Sequence, residues 1–346
     1  MPTLHALQVP FDLAHWQQIA AERYPNGLPQ PYSDDPTQWI FHGHPLPCAL
    51  TPNPSPDGRG EQDCLQVAVA RLLGYRWPAE SALTPNPSPG GRGEQEMELS
   101  DEARTWIARC EALAHHVDDD GIACLPPVRG EKSADQRLLA LLIDAWETVQ
   151  PNSWKPSILD KLLADADCAG KSLETWLRDK FFEQHCKRFH HRPFIWHVWD
   201  GLKDGFAALV NYHRLDTKNL ERLIHTYLGD WIRVQEAGVA NGIDGAQIRL
   251  AAARDLKSRL ERILEGEAPY DLFVRWKPLD QQPIGWNPDL NDGVRLNIRP
   301  FATAEVLRHN KPPKLNVKWD KDRGKDVESA PWFHRSSKAS GSTIII

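Results

Sequence analysis

Apolar residues recur at every third or fourth position through most of this chain, and they change to a β-type pattern between residues 194 and 212, with a further short strand predicted at Leu272–Trp276. A spacing of three to four places side chains on one face of an α-helix, so the sequence predicts an α+β fold that is predominantly helical. The β-type region has two runs, Phe194–Trp199 and Phe206–Tyr212, joined by the Gly- and Asp-rich link Asp200–Gly205, which predicts a β-hairpin. Helices are predicted over Cys64–Gly74, Ser100–Leu113 (with Ser100 as N-cap), Ala134–Thr148, Pro156–Ala166 and Ser172–Phe189.

Two long helices are predicted after the hairpin. The first has Asp216 as its N-cap and the second has Asp244. A glycine-bounded break from Gly238 to Gly242 separates them, which favours an antiparallel helical pair. Beyond Gly266 the chain is irregular, rich in Pro, Asn and Gly, and increasingly basic.

A 14-residue peptide, Ala49–Gln62, occurs again at Ala82–Gln95 with a single change. Two copies fall short of the three repeats that a stacked array needs. Alternating prolines followed by Gly-Arg-Gly cannot bury an apolar face. Residues 50–62 and 83–95 are therefore interpreted as loop insertions in a helical region.

Charge divides the chain into two parts. Residues 1–170 hold 12 Lys and Arg against 24 Asp and Glu, whereas residues 171–346 hold 29 against 23. Residues 1–170 are interpreted as an acidic helical region. Residues 171–335 are interpreted as the hairpin, the helical pair and a basic region suited to a polyanion. The tail, 336–346, has low complexity and ends in three isoleucines, so it is treated separately.

Cysteine usage and hydropathy indicate the expected compartment. Six cysteines without a Cys-x-x-Cys pair favour reduced thiols in the cytoplasm. No apolar run approaches the roughly 18 residues of a membrane span, and no secretory leader is recognisable. A membrane partner is therefore not expected.

Several long strings resemble one family of enzymes. The segment Phe181–Gly201, with Arg-Pro-Phe-Ile-Trp at 192–196, is similar to the C-terminal half of bacterial adenine-specific DNA methyltransferases. These are the enzymes of type II restriction-modification and of phage-exclusion (BREX, PglX-like) systems. Asp289–Phe301, Lys314–Gly324, Asp35–Trp39 and Phe41–His44 fit the same family, so the resemblance covers most of residues 1–335.

The resemblance is to the non-catalytic end of that family. Adenine-N6 methylation needs an Asn/Asp-Pro-Pro-Tyr/Phe loop to hold a flipped base, and this sequence has no such tetrapeptide. It also lacks a strand ending in a Gly-x-Gly turn that would receive S-adenosylmethionine. No catalytic or cofactor-binding residue is therefore expected in this chain, although S-adenosylmethionine is implied for the full-length family.

The resemblance implies a DNA-binding, target-positioning part of a methyltransferase that is inactive alone. A separate methylase catalytic chain is then a candidate partner. Two alternatives stay open: a stand-alone helical protein-interaction module, and a non-functional remnant of a split methylase gene. The atypical tail at 336–346 favours the remnant.

The segment from 308 to 325 is the main candidate for contact with double-stranded DNA. Basic side chains neutralise phosphates, and an aromatic ring among them can contact a base or sugar. The segment has seven Lys and Arg against Asp320 and Asp322. An ordinary solvated loop is the alternative, and the family resemblance favours DNA. The predicted DNA-binding residues are Arg308, Lys311, Lys314, Lys318, Trp319, Lys321, Arg323 and Lys325.

Two histidine-containing segments suggest metal sites, and other interpretations are favoured for both. In the first, Cys186 and His190 lie one helical turn apart, but a second ligand pair is missing, so packing among aromatic side chains is favoured. In the second, His115 and His116 shortly precede Asp118–Asp120, and the following glycine favours a solvated turn after a helix. A nuclease site is disfavoured because Pro288-Asp289 is not followed by an acidic-x-Lys pair.

Overall fold

The structure is a computed structural model that describes residues 64–76, 101–189, 193–268 and 297–308, with a few isolated positions outside these ranges. Its fold is α+β and predominantly helical, which confirms the class predicted from the sequence. The two proline-rich insertions, 50–62 and 83–95, and the tail 336–346 lie outside the described residues.

The elements follow the order that the hydrophobic periodicity predicted, apart from an additional short strand near residue 122, a short helix near residue 300 and one predicted helix that is broken in two. The helices are α1 (Cys64–Leu72), α2 (Asp101–Ala112), α3 (Ala134–Val149), α4 (Pro156–Asp165), α5 (Leu173–Asp179), α6 (Phe181–Arg188), α7 (Thr217–Glu221), α8 (Leu228–Ala240), α9 (Ala246–Glu265) and α10 (Arg299–Thr303). The strands are β1 (Ile122–Cys124), β2 (Ile195–Trp199) and β3 (Ala207–Asn211). A 3₁₀ turn covers Ala114–His116, and a π-helical turn covers Arg222–Tyr227.

The three strands form one antiparallel sheet in the order β1-β3-β2. The predicted hairpin supplies β2 and β3, with Trp196 opposite Val210, and β1 adds Ile122 opposite Val210 on the other side. Every residue of the central strand β3 is buried, because helices cover the sheet. The central position explains why its sequence is a continuous apolar run instead of an alternating one.

The hairpin link is organised by one carboxylate. Asp200 accepts hydrogen bonds from the backbone N–H groups of Leu202 and Phe206, at 3.0 Å and 2.8 Å. A methyl group at Gly205 would lie 2.2 Å from an Asp200 oxygen, so only glycine leaves room for that carboxylate. The Gly- and Asp-rich composition of the link thus has a direct structural use.

The helix predicted over Ser172–Phe189 is two helices, α5 and α6, that meet at Lys180. The buried pairs Trp176 with Leu177 and Phe181 with Phe182 are five residues apart, which is about 140° around a straight helix. A break at Lys180 lets both pairs face the core. The Trp176 and Phe181 rings then meet edge to face with centroids 5.5 Å apart.

The predicted long-helix pair is confirmed. Asp216 is the N-cap of α7, and its side chain accepts from the Asn219 N–H at 2.8 Å. The helices α8 and α9 run in opposite directions, since Gly238 lies against Ala246 while Gln235 contacts Arg249.

The cap predicted for the second helix is wrong. Gly245, in the left-handed region with φ of 72°, precedes α9, and no side chain caps this end. Asp244 contributes its backbone carbonyl instead, which accepts from the Arg249 guanidinium.

Residues 297–308 return to the sheet beside β2. Phe301 is buried and its ring lies 5.0 Å from the Trp196 ring, while Leu307 forms a bridge with Val198. The sequence indicated an irregular region here, and a short helix with a bridge is what the described part of it forms. Among the helices described, none combines the length and the hydropathy that crossing a membrane would require.

Candidate functional site

Arg308 is the one predicted DNA-binding residue within the described ranges, and the fold holds it firmly. Its backbone N–H donates to the His197 carbonyl at 2.8 Å, and its guanidinium donates to Asp179 at 2.7 Å. The same guanidinium lies over the Trp199 ring, 4.1 Å from the centroid. Burial lowers the pKa of Arg308, and Asp179 opposes that shift. These contacts are with protein groups and fix the point at which the basic segment starts.

The other seven predicted DNA-binding residues lie outside the described residues, so their contacts stay predictions. They are Lys311, Lys314, Lys318, Trp319, Lys321, Arg323 and Lys325.

A pair of buried aspartates, Asp118 and Asp120, lies in the turn before β1, and we call it the aspartate pair. One oxygen of Asp118 accepts from three consecutive backbone N–H groups, those of Asp120, Gly121 and Ile122, at 3.0, 2.8 and 3.1 Å. Its other oxygen pairs with Arg137 at 2.8 Å. Gly121 takes a φ of 74°, which a residue with a side chain rarely adopts, and this lets the turn wrap around the carboxylate.

The second carboxylate of the pair joins the turn to the helical pair. One oxygen of Asp120 accepts from the Ile122 N–H at 3.0 Å. The other accepts from the Arg222 guanidinium at 2.9 Å and from the Tyr227 hydroxyl at 3.0 Å. Arg222 and Tyr227 are the two ends of the π-helical turn. Five residues along an α-helix would place them about 140° apart, and the wider turn brings both to one oxygen.

The two aspartates have pKa values that move in opposite directions. Burial raises the pKa of the Asp120 carboxyl to about 6, helped by Asp118 and opposed by Arg222 and Tyr227. Burial also acts to raise the pKa of Asp118. The interactions of its carboxylate with Asp120, Arg137 and the Ile122 N–H outweigh burial and hold this pKa below its ordinary value. Such a divided pair is typical of acid–base sites and also of structural ion networks.

An open cleft of about 750 Å³ lies beside the aspartate pair and is lined by charges of both signs. All four oxygens of the pair already accept from protein donors, and both carboxylates are buried. This arrangement supports a structural role for the pair. The prediction of a solvated turn at Asp118–Asp120 is wrong, because both side chains are buried. The lining residues are Val117, Asp118, Asp119, Asp120, Arg129, Glu131, Lys132, Arg137, Arg222, Thr226 and Tyr227.

The preceding histidines belong to a second group, which we call the histidine cluster: His115, His116 and Asp144. Both imidazole Nε2 atoms face the same oxygen of Asp144, at 3.2 Å for His115 and 2.7 Å for His116. The two rings are tilted with centroids 4.0 Å apart. The histidines stand on the 3₁₀ turn after α2, and the aspartate stands on α3. In the part of the chain that is described, this is the one group of three side chains whose ligand atoms converge as a metal site requires.

His185 is a core residue. Its Nδ1 lies 3.0 Å from Gln66 Oε1, and its Nε2 accepts from the Ile195 N–H at 3.1 Å. Burial lowers its pKa to about 3, so the ring stays neutral. The ring contacts Phe181, Phe189 and Phe194, which agrees with packing among aromatic side chains. His190 and His191 lie outside the described residues.

Sequence reasoning noticed His115 and His116 but joined them to the wrong carboxylates. Asp144 follows them by 29 and 28 residues. No spacing rule links a turn to the middle of the helix that follows it after an intervening strand. The available signal was an aspartate interrupting the apolar run of α3, just after Ile143.

Comparisons of this sequence with protein-family models and with curated proteins gave no match.

Proposed function

We propose that this chain is the DNA-binding, target-positioning part of an adenine-specific DNA methyltransferase of a restriction-modification or phage-defence system. The proposal rests on the family resemblance of residues 1–335 and on the basic segment that follows Arg308. Within 308–325, seven Lys and Arg outnumber the two aspartates, a balance suited to a phosphate backbone. This charge pattern is the observation that carries the proposal.

The contacts of Arg308 support a more specific role for that residue. Its guanidinium lies between Asp179 and Trp199, with 10% of the side chain exposed. We assign to it the anchoring of the basic segment, and to Lys311 and the later residues the contact with phosphates. Lys311 follows only three residues later in the sequence. A fixed starting point lowers the conformational entropy that the segment loses on binding.

The salt dependence of DNA binding tests the proposal. On duplex DNA, the log–log slope of affinity against salt should be about −0.9 for each phosphate neutralised. Replacing Lys318 and Lys321 with Ala should flatten the slope by about two units, if each lysine makes one contact. Fluorescence anisotropy with a labelled duplex, between low and moderate salt, measures it.

The matched control changes Lys203 and Lys218, two exposed lysines elsewhere in the fold, to Ala. This control should leave the slope unchanged. Equal flattening by both double variants would place the contacts elsewhere, and a chain that fails to bind at low salt would contradict the proposal.

Trp319→Ala separates stacking from charge. Losing an aromatic contact should weaken DNA binding while leaving the salt slope nearly constant, because stacking releases no counterions. A thermal melt of the variant should match the parent chain. A melting temperature several degrees below that of the parent chain would instead assign Trp319 to the core.

The chain alone should neither bind S-adenosylmethionine nor methylate DNA. The expected absence of activity follows from the missing Asn-Pro-Pro-Tyr loop and Gly-rich turn. Calorimetric titration with the cofactor and a tritiated methyl-transfer assay measure these two properties. Saturable binding or incorporated label would contradict the assignment of this chain to the non-catalytic part.

A protein-interaction module is the second candidate, and it has its own observation. Four large apolar side chains on the α8–α9 pair are 41–66% exposed: Val234, Val239, Ile243 and Ile248. Ile243→Asp with Ile248→Asp should leave DNA affinity unchanged if DNA binding is the function. If DNA binding is absent and these changes abolish self-association in sedimentation velocity, the second candidate replaces the first.

A further inference from the structure

We propose that the histidine cluster (His115, His116 and Asp144) is a binding site for a first-row divalent transition metal such as zinc. Two imidazole nitrogens and one carboxylate oxygen point at a common position, and all lie within 4.8 Å of one another. Imidazole with one carboxylate suits zinc and nickel, whereas magnesium and calcium prefer sites made of oxygen alone. The proposal is independent of DNA binding.

The distances agree with a tetrahedral ion. Zinc bonds to nitrogen and oxygen of about 2.0–2.1 Å place neighbouring ligand atoms roughly 3.3 Å apart. His115 Nε2 and Asp144 Oδ2 are already separated by 3.2 Å. His116 Nε2 lies 2.7 Å from the same oxygen and would move outward by about half an ångström, which a side-chain rotation supplies.

A hydrogen bond on the far side of the His115 ring shows that Nδ1 carries a proton. Its Nδ1 lies 3.0 Å from the Ala112 carbonyl oxygen, and a carbonyl can only accept, so Nδ1 carries the proton. Nε2, which faces the Asp144 carboxylate, is then the ring nitrogen that is free to bind a metal ion. A backbone carbonyl behind the imidazole is the outer support that metal-ligating histidines commonly have.

The accessibility of the cluster fits an exchangeable ion with open positions. The side chains of His115 and Asp144 are 63% and 44% exposed, and that of His116 is 13% exposed. Three protein ligands leave at least one coordination position to water. The cluster also joins the 3₁₀ turn after α2 to the middle of α3, so a bound ion would cross-link these two elements.

The experiment uses the full chain after treatment with a chelator and dialysis. Titration calorimetry with zinc chloride gives the stoichiometry and the affinity. His116→Ala and Asp144→Asn should each abolish one equivalent of binding, and His115→Ala should weaken it at least tenfold. Saturating zinc should also raise the melting temperature of the parent chain by roughly 5 °C.

The control is His225→Ala, an exposed histidine on the π-helical turn, which should retain the full stoichiometry. Circular dichroism without metal should be the same for all variants, and Asp144→Asn keeps the side-chain shape if an alanine variant misfolds. Cobalt(II) absorption of the parent chain supplies a signal that depends on the ligands. Equal zinc stoichiometry and affinity in the parent, His116→Ala and Asp144→Asn chains would overturn the proposal.

Discussion

The aspartate pair and the two histidines of the histidine cluster lie within one stretch of nine residues, 114–122, but the two groups are built in opposite ways. In the aspartate pair, each carboxylate oxygen receives its own donors, which come from the turn backbone, from Arg137 and from the π-helical turn. In the histidine cluster, three side chains direct their ligand atoms at one another. The first group is buried, and the second is partly exposed.

The difference shows how a polar cluster can be assigned from its contacts. A buried charge is tolerated when it is paired and hydrogen-bonded, so a pair whose four oxygens all accept from the protein stabilises the fold. A cluster whose ligand atoms converge on one another, with few donors from elsewhere in the protein, is better placed to bind an ion. Stability measurements should therefore separate the two groups, and four predictions follow in order of size.

The largest effect is expected at Asp118. Asp118→Ala removes the acceptor of the buried Asp120 and Gly121 N–H groups and the close partner of Arg137, so the free energy of unfolding should fall by roughly 3 kcal/mol. Asp119→Ala is the matched control, because its side chain is exposed, and it should stay within about 0.5 kcal/mol. Urea unfolding followed by tryptophan fluorescence measures both. A loss below about 1 kcal/mol at Asp118 would remove the distinction between the two groups.

The next effect is expected at Tyr227. Tyr227→Phe removes one donor to the Asp120 carboxylate and should reduce stability by about 1.5 kcal/mol. Combining it with Asp120→Asn in a double-mutant cycle should show that the two changes are coupled, because they share one contact. Additive losses would mean that the hydroxyl contributes through another route.

The third prediction concerns how stability changes with pH. The folded-state pKa of Asp120 lies above its ordinary value of 3.8, so between pH 4 and about 6 the folded chain holds a proton there that the unfolded chain has released. This group therefore makes the fold less stable as the pH rises through that window. Asp120→Asn should remove the effect, as urea unfolding at stepped pH would show.

The lowered pKa of Asp118 contributes in the opposite sense and in a different window. Its stabilising contribution is present above its ordinary value and is lost only as the pH falls further. If the parent chain and Asp120→Asn had parallel stability profiles between pH 4 and 6, the assignment of the raised pKa would be wrong.

The smallest effect is expected at Asp144. Without metal, Asp144→Asn should change the free energy of unfolding by no more than about 0.5 kcal/mol, because exposed ion pairs contribute little. Urea unfolding in the presence of a chelator measures it. A loss comparable to that of Asp118→Ala would make the histidine cluster a structural group as well.

The elements of this fold could largely be predicted because their signals are local. The α3 periodicity and the Asp216 cap each depend on neighbours within a few residues, and both were found in the structure. The three-residue strand β1 was missed, since it is too short for a pattern and forms only against β3, which lies more than 80 residues later. The break at Lys180 was missed because each half has a good helical pattern by itself.

The polar groups were less predictable for a related reason. No residue near Asp120 in the sequence predicts its contacts with Arg222 and Tyr227, because only the fold brings these distant segments together. Arg308 looked like a phosphate ligand because its neighbours along the chain are basic, whereas its contacts are Asp179 and Trp199. The charge pattern of a sequence can identify a basic segment, but the role of each basic residue depends on what its side chain packs against.

The π-helical turn at Arg222–Tyr227 is a position at which the fold should tolerate the deletion of one residue. Such a turn contains one residue more than an α-helix needs to span the same distance. Deleting His225 would let the turn become α-helical while α7 and α8 keep their orientations. A deletion inside α8 would instead rotate every later side chain by about 100° and carry Ile232 and Gln235 away from the core. Alignments of related chains should thus show a one-residue gap at this turn. Chains with the gap should lack the pair of hydrogen bonds that Arg222 and Tyr227 donate to Asp120.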